Sequence, residues 1–123
     1  MTPNRRVVVT GVGLVSPLGI GTEQTWQGLL AGRSGAAPIT LFDASQHSTH
    51  FACEVKDLDV TDYVDYKASR RMDRFTHLAL AAARQAEADA SLDIARDAER
   101  IGAAVATGIG GLKSFEACIQ VLD

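Results

Sequence analysis

Residues 6–17 read RVVVTGVGLVSP, a short apolar run that ends in two glycines. The valines between Arg6 and Thr10, closed by Gly11, predict a strand covered on both faces, as in a parallel sheet. The pair Gly11 and Gly13 then satisfies the first half of the dinucleotide fingerprint, in which glycines let a helix N-terminus approach a pyrophosphate. The rest of the stretch argues against that use. The third glycine position is Ser16, Pro17 follows it, and no helix can begin before about Thr22. The ribose-binding carboxylate expected roughly 20 residues on is also missing, since Gly28 to Ser34 contain no Asp or Glu. The glycine pair therefore reads as a structural tight turn. The Walker spacing is absent as well, because Gly108 to Gly111 run straight into Leu112, Lys113 and Ser114.

Working outward, Thr22 is the expected N-cap of a helix with Glu23 in its first turn, Trp26, Leu29 and Leu30 on one apolar face, and Gly32 at C′. Residues 33–50 read as a loop interrupted by Gly35, Pro38, Asp43, Ser45 and Ser48, with Ile39, Leu41 and Phe42 as its anchors. Phe51 to Val55 reads as a brief strand. From Asp73 to Ala90 the pattern is helical, with Phe75, Leu78, Ala79, Ala82 and Ala86 on one face and alanines that permit close packing on a sheet. Ile101 to Thr107 is a second apolar run ended by Gly108-Ile109-Gly110-Gly111, and a further helix carries Phe115, Cys118, Ile119 and Leu122 on one side. The order strand, helix, strand, helix predicts an α/β layered fold. The last helix reaches Asp123 without a glycine cap or polar tail, and the strands are few for so many apolar-faced helices. We therefore expect part of the core to lie outside these residues.

The 123 residues, 46% hydrophobic and 22% charged, suit one soluble globular domain. A net charge of −3 provides no global attraction to nucleic acid or to an anionic membrane, and no run approaches the ~20 apolar residues of a membrane span. Arg5-Arg6 followed by apolar residues imitates a secretory leader, but Thr10, Gly11, Gly13, Ser16 and Pro17 dilute it and no A-x-A-like site follows. Cys53 and Cys118, distant in sequence, form neither a disulfide framework nor a paired-cysteine zinc site; they fit a reducing compartment, and we read both as structural. His47, His50 and Cys53 form an H-x2-H-x2-C array without an evident fourth ligand, so the array reads as a solvated loop with Cys53 packed in its strand as a small hydrophobe. His77 lies on the alanine-rich helix, and no spacing brings it to either thiol. Four of the twelve cations, Lys67, Arg70, Arg71 and Arg74, fall within one short stretch of an acidic chain. Such a cluster is either a solvated face or a dock for an anionic partner.

In that order the segments RRVVVTGVGLVSPLG, TWQGLLAGRSG, ITLFDAS, FACEVK, SRRMDRFTHLALAAARQA and RIGAAVATGIGGL resemble the β-ketoacyl-acyl-carrier-protein synthases, the elongating condensing enzymes of type II fatty-acid synthesis. The resemblance covers essentially the whole chain, residues 1–123, as the opening segment of the family's N-terminal domain. Departures are small: Cys53 replaces a glycine or alanine, and the stretch between Leu92 and Arg100 is slightly shorter. The resemblance implies a thiolase-like fold of α-β-α-β-α layers, a cytoplasmic homodimer, acyl- and malonyl-loaded acyl carrier protein as partners, and neither cofactor nor metal. It also implies a Claisen condensation on a cysteine thioester, assisted by two histidines. The family's cysteine motif follows the GIGG segment and does not occur here, and none of His47, His50, His77, Cys53 or Cys118 matches a catalytic position. We thus expect no catalytic residue in these 123 residues and no activity from them alone. Lys67, Arg70 and Arg71 match the basic positions that meet the acidic carrier protein, and Ile109 matches the residue at the end of the acyl pocket. Two other readings remain open: a non-catalytic chain-length factor or polyketide ketosynthase, and a nucleotide-binding α/β protein.

Overall fold

A computed structural model describes residues 5–122; Asp123, the expected end of the last helix, lies outside the described residues. A hairpin comes first, with β1 (Val15–Ser16) and β2 (Gly19–Ile20) antiparallel, Val15 opposite Ile20 and Ser16 opposite Gly19. Helix α1 (Thr22–Leu30) follows directly. A second pair joins β3 (Ala37–Pro38) to β4 (Phe51–Ala52), also antiparallel. After a 3-10 turn at Val60–Asp62 come the short α2 (Tyr66–Ser69), the long α3 (Arg74–Asp89), α4 (Ile94–Asp97), a second 3-10 turn, and α5 (Leu112–Leu122).

The alanine face of α3 receives the glycine pair. A Cβ placed on Gly13 would overlap the Ala82 carbonyl oxygen, and one on Gly11 would come within 2.6 Å of the Ala90 nitrogen and 2.8 Å of the Ala90 Cβ. The approach of backbone to helix thus excludes any side chain at either position. The amides between these contacts are also occupied. Val12 N–H donates to Asp89 Oδ2 at 2.9 Å, and Leu14 N–H donates to Gln85 Oε1 at 3.1 Å. Donors of the kind a pyrophosphate would need are therefore already engaged by α3. The expected tight turn at the glycines is not there. Reversal occurs later, at Pro17 and Leu18, where Ser16 Oγ accepts from Leu18 N–H at 3.2 Å and shares a hydrogen bond with Thr25 Oγ1 at 2.9 Å.

Several expected elements are absent or face differently. Residues 6–10 and 101–107 form no strand among the described residues, and Val7, Val9 and Val105 are 91%, 83% and 72% exposed rather than covered on both faces. A ladder needs a partner, and neither run has one here. On α1 the buried residues are Thr25 and Gly28, while Trp26, Leu29 and Leu30 face outward, because the hydroxyl cluster with Ser16 fixes which side meets the hairpin. Gly21, not Thr22, occupies the N-cap position, and Thr22 Oγ1 donates to the Val12 carbonyl instead. Gly32 does take the left-handed C′ conformation, φ 64°, with Arg33 N–H donating back to Gly28. Ala81 on α3 is the fully buried apolar side chain among the described residues.

Of the apolar anchors expected in the loop before β4 only Ile39 is half-buried, and polar contacts hold the rest. Leu41 and Phe42 are exposed, whereas Glu54 accepts from the Thr40 hydroxyl at 2.6 Å and from the Thr40 and Leu41 amides. The strand expected over Phe51–Val55 stops at Ala52, which leaves Cys53 exposed beyond it rather than packed. Cys118 is exposed on α5, so neither thiol serves the packing role expected of it.

Two expected outcomes follow from these contacts. Gly13→Ala lowers the denaturation midpoint by an amount equivalent to roughly 1–3 kcal/mol, since the methyl must displace helix backbone; a wild-type midpoint would mean that the segment does not sit on α3. The Thr40 hydroxyl, then the Thr40 amide, hold the Glu54 carboxyl below its ordinary range. A carboxylate depressed in this way stabilises the fold above its unfolded pKa, and that contribution disappears as pH falls through the folded value. Thr40→Val should move the Glu54 titration upward in carboxyl-detected NMR, and an unmoved titration would remove Thr40 as the cause.

Candidate functional site

Helix α2 begins at Asp65, whose Oδ1 accepts from Ala68 N–H at 3.1 Å and so caps the first turn. Lys67 lies within α2, and Arg70 and Arg71 follow in the turn that continues it, with Arg70 N–H donating to Tyr66 O at 3.3 Å and Arg71 N–H to Ala68 O at 3.0 Å. All three cationic side chains are exposed. The fourth cation of the cluster behaves differently. Arg74 Nη2 donates to the Val55 carbonyl at 3.1 Å, tying the start of α3 to the segment after β4. The patch is thus Lys67, Arg70 and Arg71.

Nearby carboxylates are bonded elsewhere and form no ion pair with it among the described residues. Asp65 is engaged as the α2 cap, and the Asp73 carboxylate accepts from the Ser114 hydroxyl at the start of α5. Asp59 accepts from Thr61 Oγ1 at 2.6 Å and Thr61 N–H at 2.9 Å, bonds that hold its carboxyl below the usual aspartate range. Among the described residues none of Lys67, Arg70 and Arg71 forms an ion pair. Three cations without ion-pair partners among the described residues can meet an anionic surface without first breaking a salt bridge there.

Ile109 sits elsewhere, in the glycine loop before α5, and is 78% exposed. A Cβ on the neighbouring Gly110 would come within 2.8 Å of the Phe75 ring and of Thr107, so this loop lies against the first turn of α3. The basic patch and the loop carrying Ile109 therefore flank the same end of α3, the patch segment joined through His77 and the Ser69 carbonyl, the loop through Phe75 beside Gly110 and through Asp73 to Ser114.

His77, which the spacing left without a role, faces α2. Its Nε2 lies 2.9 Å from the Ser69 carbonyl oxygen. Because that partner is backbone, no residue-type signal pointed to it. His47 packs edge-on to Phe42, with ring centroids 5.6 Å apart. Among the described residues no three His, Cys, Asp or Glu side chains are grouped to hold a metal ion, and no helix is long and apolar enough to cross a membrane.

A family profile described as the N-terminal domain of beta-ketoacyl synthase matches residues 4–121. A 3-oxoacyl-[acyl-carrier-protein] synthase 2 from Synechocystis is 50% identical over 113 residues, which cover 91% of this chain and 27% of the relative. A protein of the same name from Staphylococcus aureus is 46% identical over 125 residues, covering 100% of this chain and 30% of the relative. Among solved structures, the ishigamide ketosynthase/chain length factor superposes with a TM-score of 0.68 at 44% identity, covering 74% of this chain and 23% of that one. The chain thus spans under a third of the length of the relatives it matches.

Proposed function

The chain belongs to the beta-ketoacyl synthase family through that N-terminal domain, and from this premise we propose that the protein carrying it is an elongating 3-oxoacyl-acyl-carrier-protein synthase. The observation that carries the reading is the similarity, over the whole chain, to relatives named for that activity. In such a reaction an acyl group passes from its carrier thioester to an enzyme cysteine, releasing the carrier thiol. Malonyl-carrier protein then loses CO2, and the resulting carbanion attacks the acyl-cysteine thioester. The new carbon–carbon bond leaves 3-oxoacyl-carrier protein and the free enzyme thiolate. A helix N-terminus that lowers the pKa of that cysteine, two histidines that stabilise charge developing during decarboxylation and an oxyanion hole of backbone amides would provide the electrostatic assistance. None of those groups lies among the 123 residues, so their part is binding and scaffolding.

Two sites are assigned on this reading. Lys67, Arg70 and Arg71 dock the acidic acyl carrier protein, a role supported by their exposure and by the absence of ion pairs to them among the described residues. Ile109 closes the far end of the acyl pocket, and its exposed position in the glycine loop leaves its side chain available to a neighbouring wall. The complete protein takes the thiolase-like layered fold as a cytoplasmic homodimer. There the bare apolar runs at residues 6–10 and 101–107 find their ladder partners, which is the arrangement their sequence calls for.

A second reading, a chain-length factor without a nucleophile, draws support from the ketosynthase/chain length factor structure. A cysteine in the motif that follows the GIGG segment in the parent reading frame selects the enzyme, and a non-nucleophilic residue there selects the partner protein.

Reversing Lys67, Arg70 and Arg71 together to Glu should raise the carrier-protein KM of the full-length enzyme by about tenfold or more at low salt, with the difference shrinking as ionic strength rises. An unchanged KM at low salt would remove the patch from the site. The purified 123 residues alone should release no CO2 from malonyl-carrier protein, and turnover by them would overturn the assignment of catalysis to groups outside the chain.

A further inference from the structure

The basic patch stands on a weak support. Helix α2 has only four residues, and a helix that short does not hold its own geometry in water. Arg70 and Arg71 are exposed and unpaired among the described residues, so what the fold controls is where their backbone starts and which way it points. That direction is set at the peptide joining Ser69 to Arg70.

The Ser69 carbonyl oxygen accepts twice, from Met72 N–H at 3.1 Å and from the His77 ring at 2.9 Å. A carbonyl has no proton to give, so the His77 Nε2 must be the donor, and the neutral ring is the Nε2–H tautomer. Ser69 itself is 5% exposed, and its Oγ donates to Tyr66 O at 2.8 Å. The peptide is therefore held by its own helix, by the following turn and by a side chain from α3, a helix of 16 residues that is long enough to act as a fixed base. Of these three, the ring is the contact that ties α2 to another element.

We propose that His77 is a positioning residue for the basic patch, its Nε2–H fixing the Ser69–Arg70 peptide and so the direction in which Arg70 and Arg71 meet an acidic partner. The inference rests on the docking role given to Lys67, Arg70 and Arg71. Loss of the ring leaves the charges in place but disperses their origin, which weakens encounter without altering the chemistry that follows.

The test uses the full-length synthase carrying His77→Leu, His77→Gln or the triple charge reversal, with KM and kcat measured against acyl carrier protein. His77→Leu should raise KM about three- to tenfold, the effect of one hydrogen bond, with kcat at saturating carrier protein largely retained. His77→Gln, whose amide N–H reaches where Nε2–H did, should bring KM back toward wild type. If the triple reversal raises KM but His77→Leu does not, the positioning role is wrong and the docking role stands. If neither raises KM, both fall. An independent reading comes from nitrogen-15 NMR of the wild-type ring, which remains decisive even where His77→Leu fails to fold: an Nε2–H neutral tautomer is expected, and an Nδ1–H tautomer overturns the proposal.

Discussion

Everything described around α3 depends on a backbone lying closer to a helix than a side chain would allow. Gly11 and Gly13 bring the chain onto the Ala82, Ala86 and Ala90 surface, and Asp89 and Gln85 reach up to take the amides of Val12 and Leu14. The two halves of this contact need each other. Small residues on both sides permit the approach, and without the two side-chain acceptors the approach would bring amide donors close to the helix without partners. Once the segment is seated, the hairpin at Pro17 and α1 have a fixed starting point, since Gly21 N–H donates to the Leu14 carbonyl and Thr22 to the Val12 carbonyl.

The other end of α3 organises a different set of residues. Within its first turn and N-cap, Asp73 meets Ser114, Arg74 meets Val55, Phe75 meets the Gly110 loop, and His77 meets Ser69. A carboxylate, a guanidinium, a ring and an imidazole from consecutive or near-consecutive positions thus gather three separate stretches of chain, around Val55, Ser69 and residues 110–114. This is how Lys67, Arg70 and Arg71 on one side and Ile109 on the other come to share a common base although they are far apart in sequence. Asp73 is the residue whose diversion has a cost. It sits at the α3 N-cap, yet its side chain caps nothing there and is spent on α5.

Much of this was legible from residue patterns. The bounds of α3 and α1 followed from alanine periodicity and from the C′ glycine, and the rejection of a pyrophosphate site followed from Ser16, Pro17 and the missing acid. What could not be read were contacts whose partner is backbone or lies far along the chain. Periodicity placed Trp26, Leu29 and Leu30 on one face, but the choice of buried face was made by the Thr25 hydroxyl meeting Ser16. The apolar runs at residues 6–10 and 101–107 have strand composition, but composition does not provide a ladder partner. The basic cluster was visible as charge, whereas the short helix that presents it and the histidine beneath it were not, because their signals are one cap and one carbonyl.

The separation between the partners in the central contact also orders events in time. Val12 and Asp89 are 77 positions apart, and Leu14 and Gln85 are 71 apart. The hairpin and α1 are held mainly by near neighbours, while the glycine segment that seats them must wait until α3 has been synthesised and has closed a long loop of intervening chain. During that interval the amides of Val12 and Leu14 lack the acceptors that α3 brings. The glycine segment is therefore open to nonnative pairing throughout that interval, and the pace of reaching α3 governs how long that hazard lasts.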